Sequence, residues 1–134
     1  MATMVTRALA APASVAAAVV AAGVVLYVRD PATSSYIPCP FHAMTGLWCP
    51  GCGATRAAGD LVRGDVMAAL SSNVLAVLLL GVGVAAWVLW VGARVRGRPL
   101  GFGRPPLWFV VTGLVVSAAF TVLRNLPVGN MLAP

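Results

Sequence analysis

The sequence predicts an all-α membrane protein: three transmembrane helices with a Cys-rich extracytoplasmic loop that contains a short amphipathic interfacial helix. Three observations carry that prediction. Charged residues make up 9% of the 134, against about 25% in soluble domains, and the mean hydropathy is +0.95. Three apolar runs, 8–28, 74–93 and 107–123, are each close to the ~20 residues that cross a bilayer. All three cysteines and the single histidine fall within residues 39–52, between the first two runs.

The first run lies between Arg7 and Arg29. An Ala-rich stretch after an arginine also resembles a signal peptide, but this one exceeds the roughly 7–15 residues of an h-region and continues through Leu26-Tyr27-Val28 to a charged stop. It is expected to stay as an anchor. The second run is bounded by Asn73 and Arg94, the third by Pro105-Pro106 and Arg124, and both pairs suit helix ends. The outer loop is then 29–73, a basic loop is 94–106 and the outer tail is 124–134. No repeat or long linker divides the chain, so 1–134 reads as a single membrane domain.

Arginine placement predicts the orientation. Arg94, Arg96, Arg98 and Arg104 crowd a short loop without acids, whereas 29–73 mixes Arg29, Arg56 and Arg63 with Asp30, Asp60 and Asp65. The positive-inside rule makes the short loop and the amino terminus cytoplasmic and sends the cysteine loop and the carboxyl terminus outward. A bacterial inner or plasma membrane location is expected. The net charge of +6 comes from arginine alone, and the cytoplasmic charges are few and juxtamembrane, so anionic lipid headgroups are their expected counterions and nucleic acid is not an expected partner.

Within the outer loop, residues 30–48 hold Pro31, Pro38 and Pro40 with Tyr36, Ile37, Phe41 and Trp48. That is poor helix material suited to the headgroup level. Residues 51–63 read as helix: Ala54, Ala57, Ala58, Leu61 and Val62 make an apolar stripe, and Cys52, Arg56, Asp60 and Arg63 stack opposite, where Asp60 is placed to pair with either arginine. Gly64-Asp65 breaks the helix, Asp65 can cap a second piece over 66–72, and Asn73 can cap the second span. In that span Gly81, Gly83 and Ala85 form a small surface expected to approach the Ala-rich first span.

The cysteine cluster admits three readings. Cys39, His42, Cys49 and Cys52 have the spacing of two zinc knuckles, with Gly51 allowing the sharp turn, and would form a closed structural site. Cys49 and Cys52 also form a Cys-x-x-Cys at a helix start, where amides and the helix dipole favour a thiolate for redox exchange. The third reading is a structural disulfide from Cys39 to Cys49 or Cys52, with His42 lying at the headgroup level. Zinc is thus a candidate cofactor, beside no cofactor at all.

The string Cys39-Pro40-Phe41, Thr45-Gly46-Leu47, Cys49-Pro50-Gly51-Cys52-Gly53, Thr55-Arg56, Gly64-Asp65, Ala69-Leu70 and Asn73 resembles the signature of an uncharacterised small bacterial membrane protein family, domain of unknown function 2752. The tail Leu123-Arg124-Asn125-Leu126-Pro127 and the final Pro134 resemble its closing motif. The resemblance implies no activity, but it singles out Cys39, Cys49, Cys52, Thr55, Arg56, Asp65, Asn73, Arg124 and Asn125. Asp60 joins them from the helical stripe. Arg124 is expected beneath the loop, donating to its carbonyls or to Asp65.

With three carboxylates and no Ser/His/Asp set, hydrolysis is disfavoured, and spans without ionisable residues disfavour a transporter. The expected role is binding or assembly: an accessory subunit whose loop recognises another membrane protein or a second copy. The alternative is a membrane thiol–disulfide oxidoreductase or metal-handling protein using Cys49 and Cys52.

Overall fold

The computed structural model describes residues 2–33, 39–98 and 104–132. Among these, every regular element is helical: α1 (Ala2–Val28), α2 (Pro40–Thr45), α3 (Ala54–Val62), α4 (Val66–Val95), α5 (Leu107–Arg124) and a closing 3-10 helix, Pro127–Leu132. Three helices are long and apolar enough to cross a membrane, at Leu9–Val28, Val66–Val95 and Leu107–Arg124. The first and third agree with the apolar runs to within a residue. The second begins earlier because the short piece 66–72 runs into it, yet the expected break persists: Asn73 is extended (φ −166°, ψ 95°) inside the helix. Its Oδ1 accepts from the Ala76 amide at 2.9 Å, and Asp65 Oδ1 accepts from the Ala68 amide at 2.9 Å. Each piece therefore starts on its own side-chain cap.

Two local expectations change. Residues 40–45 are helical, not irregular, because Pro40 occupies the first turn, where a missing N–H costs nothing. Pro38, Tyr36 and Ile37, from the same stretch of the sequence reading, lie outside the described residues. The helix expected from Gly51 starts at Ala54 instead, because Gly51, Cys52 and Gly53 are spent on a turn.

The packed interior is small and sits at one end of the bundle. α3 lies across the start of α4 and touches α1, while the closing 3-10 helix links α5 to α4. Ala57 and Ala69, 1% and 0% exposed, bring α3 and α4 together. Gly59 is where α3 meets the turn after α1: a Cβ there would lie 2.8 Å from Pro31 Cδ. The long helices are otherwise open to lipid, with Val19, Leu79 and Val115 all exposed. Gly81, Gly83 and Ala85 are exposed too, so the small surface predicted to meet α1 does not do so; Trp87 Nε1 instead donates to the Pro12 carbonyl of α1 at 3.3 Å.

The predicted Asp60–arginine pair is replaced as well. Arg63 reaches the end of α1, donating to the Leu26 and Tyr27 carbonyls at 3.1 and 3.0 Å and lying 3.7 Å from Asp30. The last carbonyls of a helix have no partner within it, so Arg63 finds there two open acceptors together with the Asp30 carboxylate. Asp60 accepts from Ser72 Oγ at 3.0 Å and so ties α3 to α4.

Candidate metal centre

The cap is built on one turn. In Cys49-Pro50-Gly51-Cys52-Gly53 the Cys52 amide donates to the Cys49 carbonyl at 3.1 Å, the Ala54 amide to the Gly51 carbonyl at 3.0 Å, and the Cys49 amide to Cys52 Sγ at 3.2 Å. The sharp backbone is at Gly53, with φ +80°, rather than at Gly51, where the sequence reading placed it. A side chain at that φ is strained, so the residue after the second cysteine is the one that must be glycine.

The turn sets two sulfurs side by side, and Cys39, at the start of α2, supplies a third. Cys49 Sγ lies 2.9 Å from Cys52 Sγ and 3.4 Å from Cys39 Sγ, and all three lie within 4.8 Å of one another. They are free thiols. A tetrahedral ion with metal–sulfur bonds of about 2.3 Å spaces its sulfurs at roughly 3.8 Å, a value these separations bracket. The three cysteines can therefore hold a metal ion after small adjustments.

His42 is not part of that group. Its Nδ1 lies 3.1 Å from the Leu47 carbonyl and its ring stacks on Trp48, centroids 4.0 Å apart, so the fourth knuckle ligand proposed from spacing serves the loop between the cysteines.

Cys39 and Cys52 are chemically unequal. Backbone hydrogen bonding at His42, helped by the Cys49 thiol, draws the Cys39 thiol down from 9.0 to about 7. Burial pushes the Cys52 thiol up to about 12, in keeping with its 7% exposure. Of these two, Cys39 is the more accessible and more readily ionised sulfur, and Cys52 surrenders its proton only to a strong competitor such as a metal ion.

What holds the turn comes from elsewhere in the chain. Arg124, fully buried at the end of α5, donates through Nη1 to the Cys49 and Cys52 carbonyls, both at 3.0 Å, with its guanidinium 5.0 Å from the Phe120 ring centroid. Of the two expectations for Arg124, the carbonyls are found; Asp65 is occupied as a helix cap. Asn73, 1% exposed, donates through Nδ2 to the Pro50 and Cys52 carbonyls, both at 2.9 Å. Asn125 grips Trp48 at two points, accepting from its amide at 2.9 Å and donating to its carbonyl at 2.8 Å. The carbonyls of residues 48, 49, 50 and 52 thus all meet side-chain donors from α4 or the end of α5.

The reach of the two asparagines was missed by the sequence reading, which used Asn73 only as a cap and gave Asn125 no contact. Their signal was there: an amide at the rim of an apolar helix must find polar partners, and the nearest backbone without regular structure is the cysteine turn. Thr55 and Arg56 lie exposed in the first turn of α3.

Comparison with known proteins agrees with this division of the chain. Residues 39–87 match the family described as Protein of unknown function (DUF2752). That match covers the cysteine cap and the greater part of α4. The match runs from the first cysteine to Trp87 and ends before Arg124 and Asn125, so the tail motif of the sequence reading lies outside it. No curated protein and no solved structure matches the chain.

Proposed function

We propose that the protein is a non-enzymatic accessory subunit of a plasma membrane, in which the DUF2752 domain holds a zinc-type ion on Cys39, Cys49 and Cys52 and presents a rigid cap to another membrane component. The observation that carries this reading is the convergence of three Sγ atoms on a turn whose carbonyls are held by Arg124, Asn73 and Asn125. A surface cluster of cysteines needs no such support, whereas metal ligands perform best when the groups behind them are fixed. Charge favours a divalent ion: three thiolates and one M²⁺ sum to −1, and the buried Arg124 guanidinium behind the turn supplies +1. Arginines 94, 96, 98 and 104, at the far end of α4 and α5 from the cap, support a cap that faces outward.

The test is metal analysis of the purified full chain together with its intact mass before and after reduction. One equivalent of zinc and an unchanged mass are expected. A metal-free protein whose mass rises by two hydrogens on reduction would support the rival reading, a thiol–disulfide oxidoreductase. The specific observation favouring that rival is that Cys49 Sγ is within easy reach of both other sulfurs. Labelling of the thiols in intact cells, after metal removal, by reagents that cannot cross the bilayer tests the outward placement.

A further inference from the structure

The three candidate ligands are anchored very differently. Cys49 and Cys52 belong to a turn whose carbonyls are bound by buried side chains of α4 and α5. Cys39 belongs to an arm: α2 has no buried residue, and among the described residues the hydrogen bonds of 39–47 run among themselves or to the neighbouring Cys49, such as Ala43 N–H to the Cys39 carbonyl and Thr45 Oγ1 to the Phe41 carbonyl. The tie from the arm to the anchored backbone, among the described residues, is the stacking of His42 on Trp48, whose backbone Asn125 holds. Phe41 and Met44 are 44% and 86% exposed. Segments with few buried contacts and self-contained hydrogen bonds open at far lower free energy than the core to which they are attached. Opening at Cys39 disturbs the arm alone, whereas opening at Cys49 or Cys52 strips the acceptors from a buried guanidinium.

We infer that the centre exchanges its metal at Cys39, where an external thiol takes the place of that ligand while Cys49 and Cys52 keep the ion. In the step the incoming thiol loses its proton and forms a sulfur–metal bond, the Cys39–metal bond breaks, and Cys39 takes up a proton; no oxidation state changes. Three thiolates from the chain leave a tetrahedral ion one position short, so the external sulfur can bind before Cys39 departs. The ligand class is a thiol, either a small molecule or a cysteine of a partner chain. This inference rests on the metal reading, and the experiment separates the two.

The full-length protein in detergent micelles is loaded with Cd²⁺ and followed by its sulfur-to-cadmium charge-transfer absorption. Cadmium release to excess EDTA is measured against increasing glutathione, and in a second arm against an unstructured peptide with one cysteine. The release rate is expected to rise in proportion to thiol concentration; a response to glutathione alone assigns the small-molecule source, and to the peptide alone the partner chain. Cys39→Ser is expected to keep cadmium with the absorption of one lost thiolate and to regain it when glutathione is added, whereas Cys52→Ser regains nothing. A wild-type release rate indifferent to thiol overturns exchange at Cys39 while leaving the metal centre standing, and it remains decisive if the variants fail to fold. Full absorption in Cys39→Ser without added thiol also overturns the inference. Failure of the wild-type chain to take up cadmium removes the metal centre itself, and the inference with it.

Discussion

Around the cysteine turn, the backbone oxygens of residues 48, 49, 50 and 52 are each met by a side chain from another element, whereas along α5 every residue from Leu107 to Val116 is exposed. The cap and the spans of one small chain therefore obey different rules. Lipid satisfies the spans without asking for specific neighbours, because an apolar side chain gains little by exchanging hydrocarbon for another helix. The cap is irregular backbone at a membrane boundary, and its polar groups must be paired one by one. Specific geometry accumulates where pairing is compulsory, and for that reason the candidate site is there.

The contrast can be sharpened first within the cap. In the metal-free protein, with the Cys39 thiol near 7 and the Cys52 thiol near 12, Cys39 is largely thiolate above about pH 7 and is protonated as the pH falls through that value, while Cys52 remains a thiol across the neutral range. Alkylation followed by peptide mapping is expected to modify Cys39 orders of magnitude faster than Cys52 at pH 8 and to slow at Cys39 below about pH 7, since the thiolate is the nucleophile. Equal rates at the two positions would erase the distinction between arm and anchored turn.

The next largest effect is expected from Arg124→Gln. It loses two charged hydrogen bonds at roughly 1.5–3 kcal/mol each, so about 3–6 kcal/mol of stability should go, read by thermal unfolding in micelles. Metal affinity should fall about 10–100-fold as the support behind the ligands is lost. Asn73→Ala removes both a helix cap, worth about 1 kcal/mol, and the donors to Pro50 and Cys52, worth about another 1 kcal/mol. Chemical unfolding should report about 2 kcal/mol, with faster alkylation of Cys52. The smallest effect belongs to the spans: Trp87→Phe deletes the hydrogen bond to Pro12, and a loss of about 0.6 kcal/mol is expected on the same unfolding assay. A larger loss there than at Asn73 would reverse the comparison.

Much of this was legible in one dimension. Span positions follow from the apolar runs, because crossing a bilayer demands length and hydrocarbon and nothing more specific. The caps at Asp65 and Asn73 were legible since a short polar side chain at a helix start bonds within three residues of itself. Asp60 and Arg63 were read on the right elements but with the wrong partners, because helical spacing shows who is near on one helix and not what another helix brings. His42 shows the same limit: four ligand-type residues at knuckle spacing suggested four ligands, and stacking on Trp48 drew one of them elsewhere.

Sequence by itself determined a thrice-spanning helical chain with a cysteine cap, because hydropathy and capping act over a few neighbouring residues. Only the tertiary structure decided that Arg124 and Asn125, more than seventy residues beyond the turn, close around the Cys49 and Trp48 backbone, and that Asn73 serves two ends at once. A buried carbonyl accepts from whichever donor folding delivers, and its own sequence neighbourhood does not name that donor.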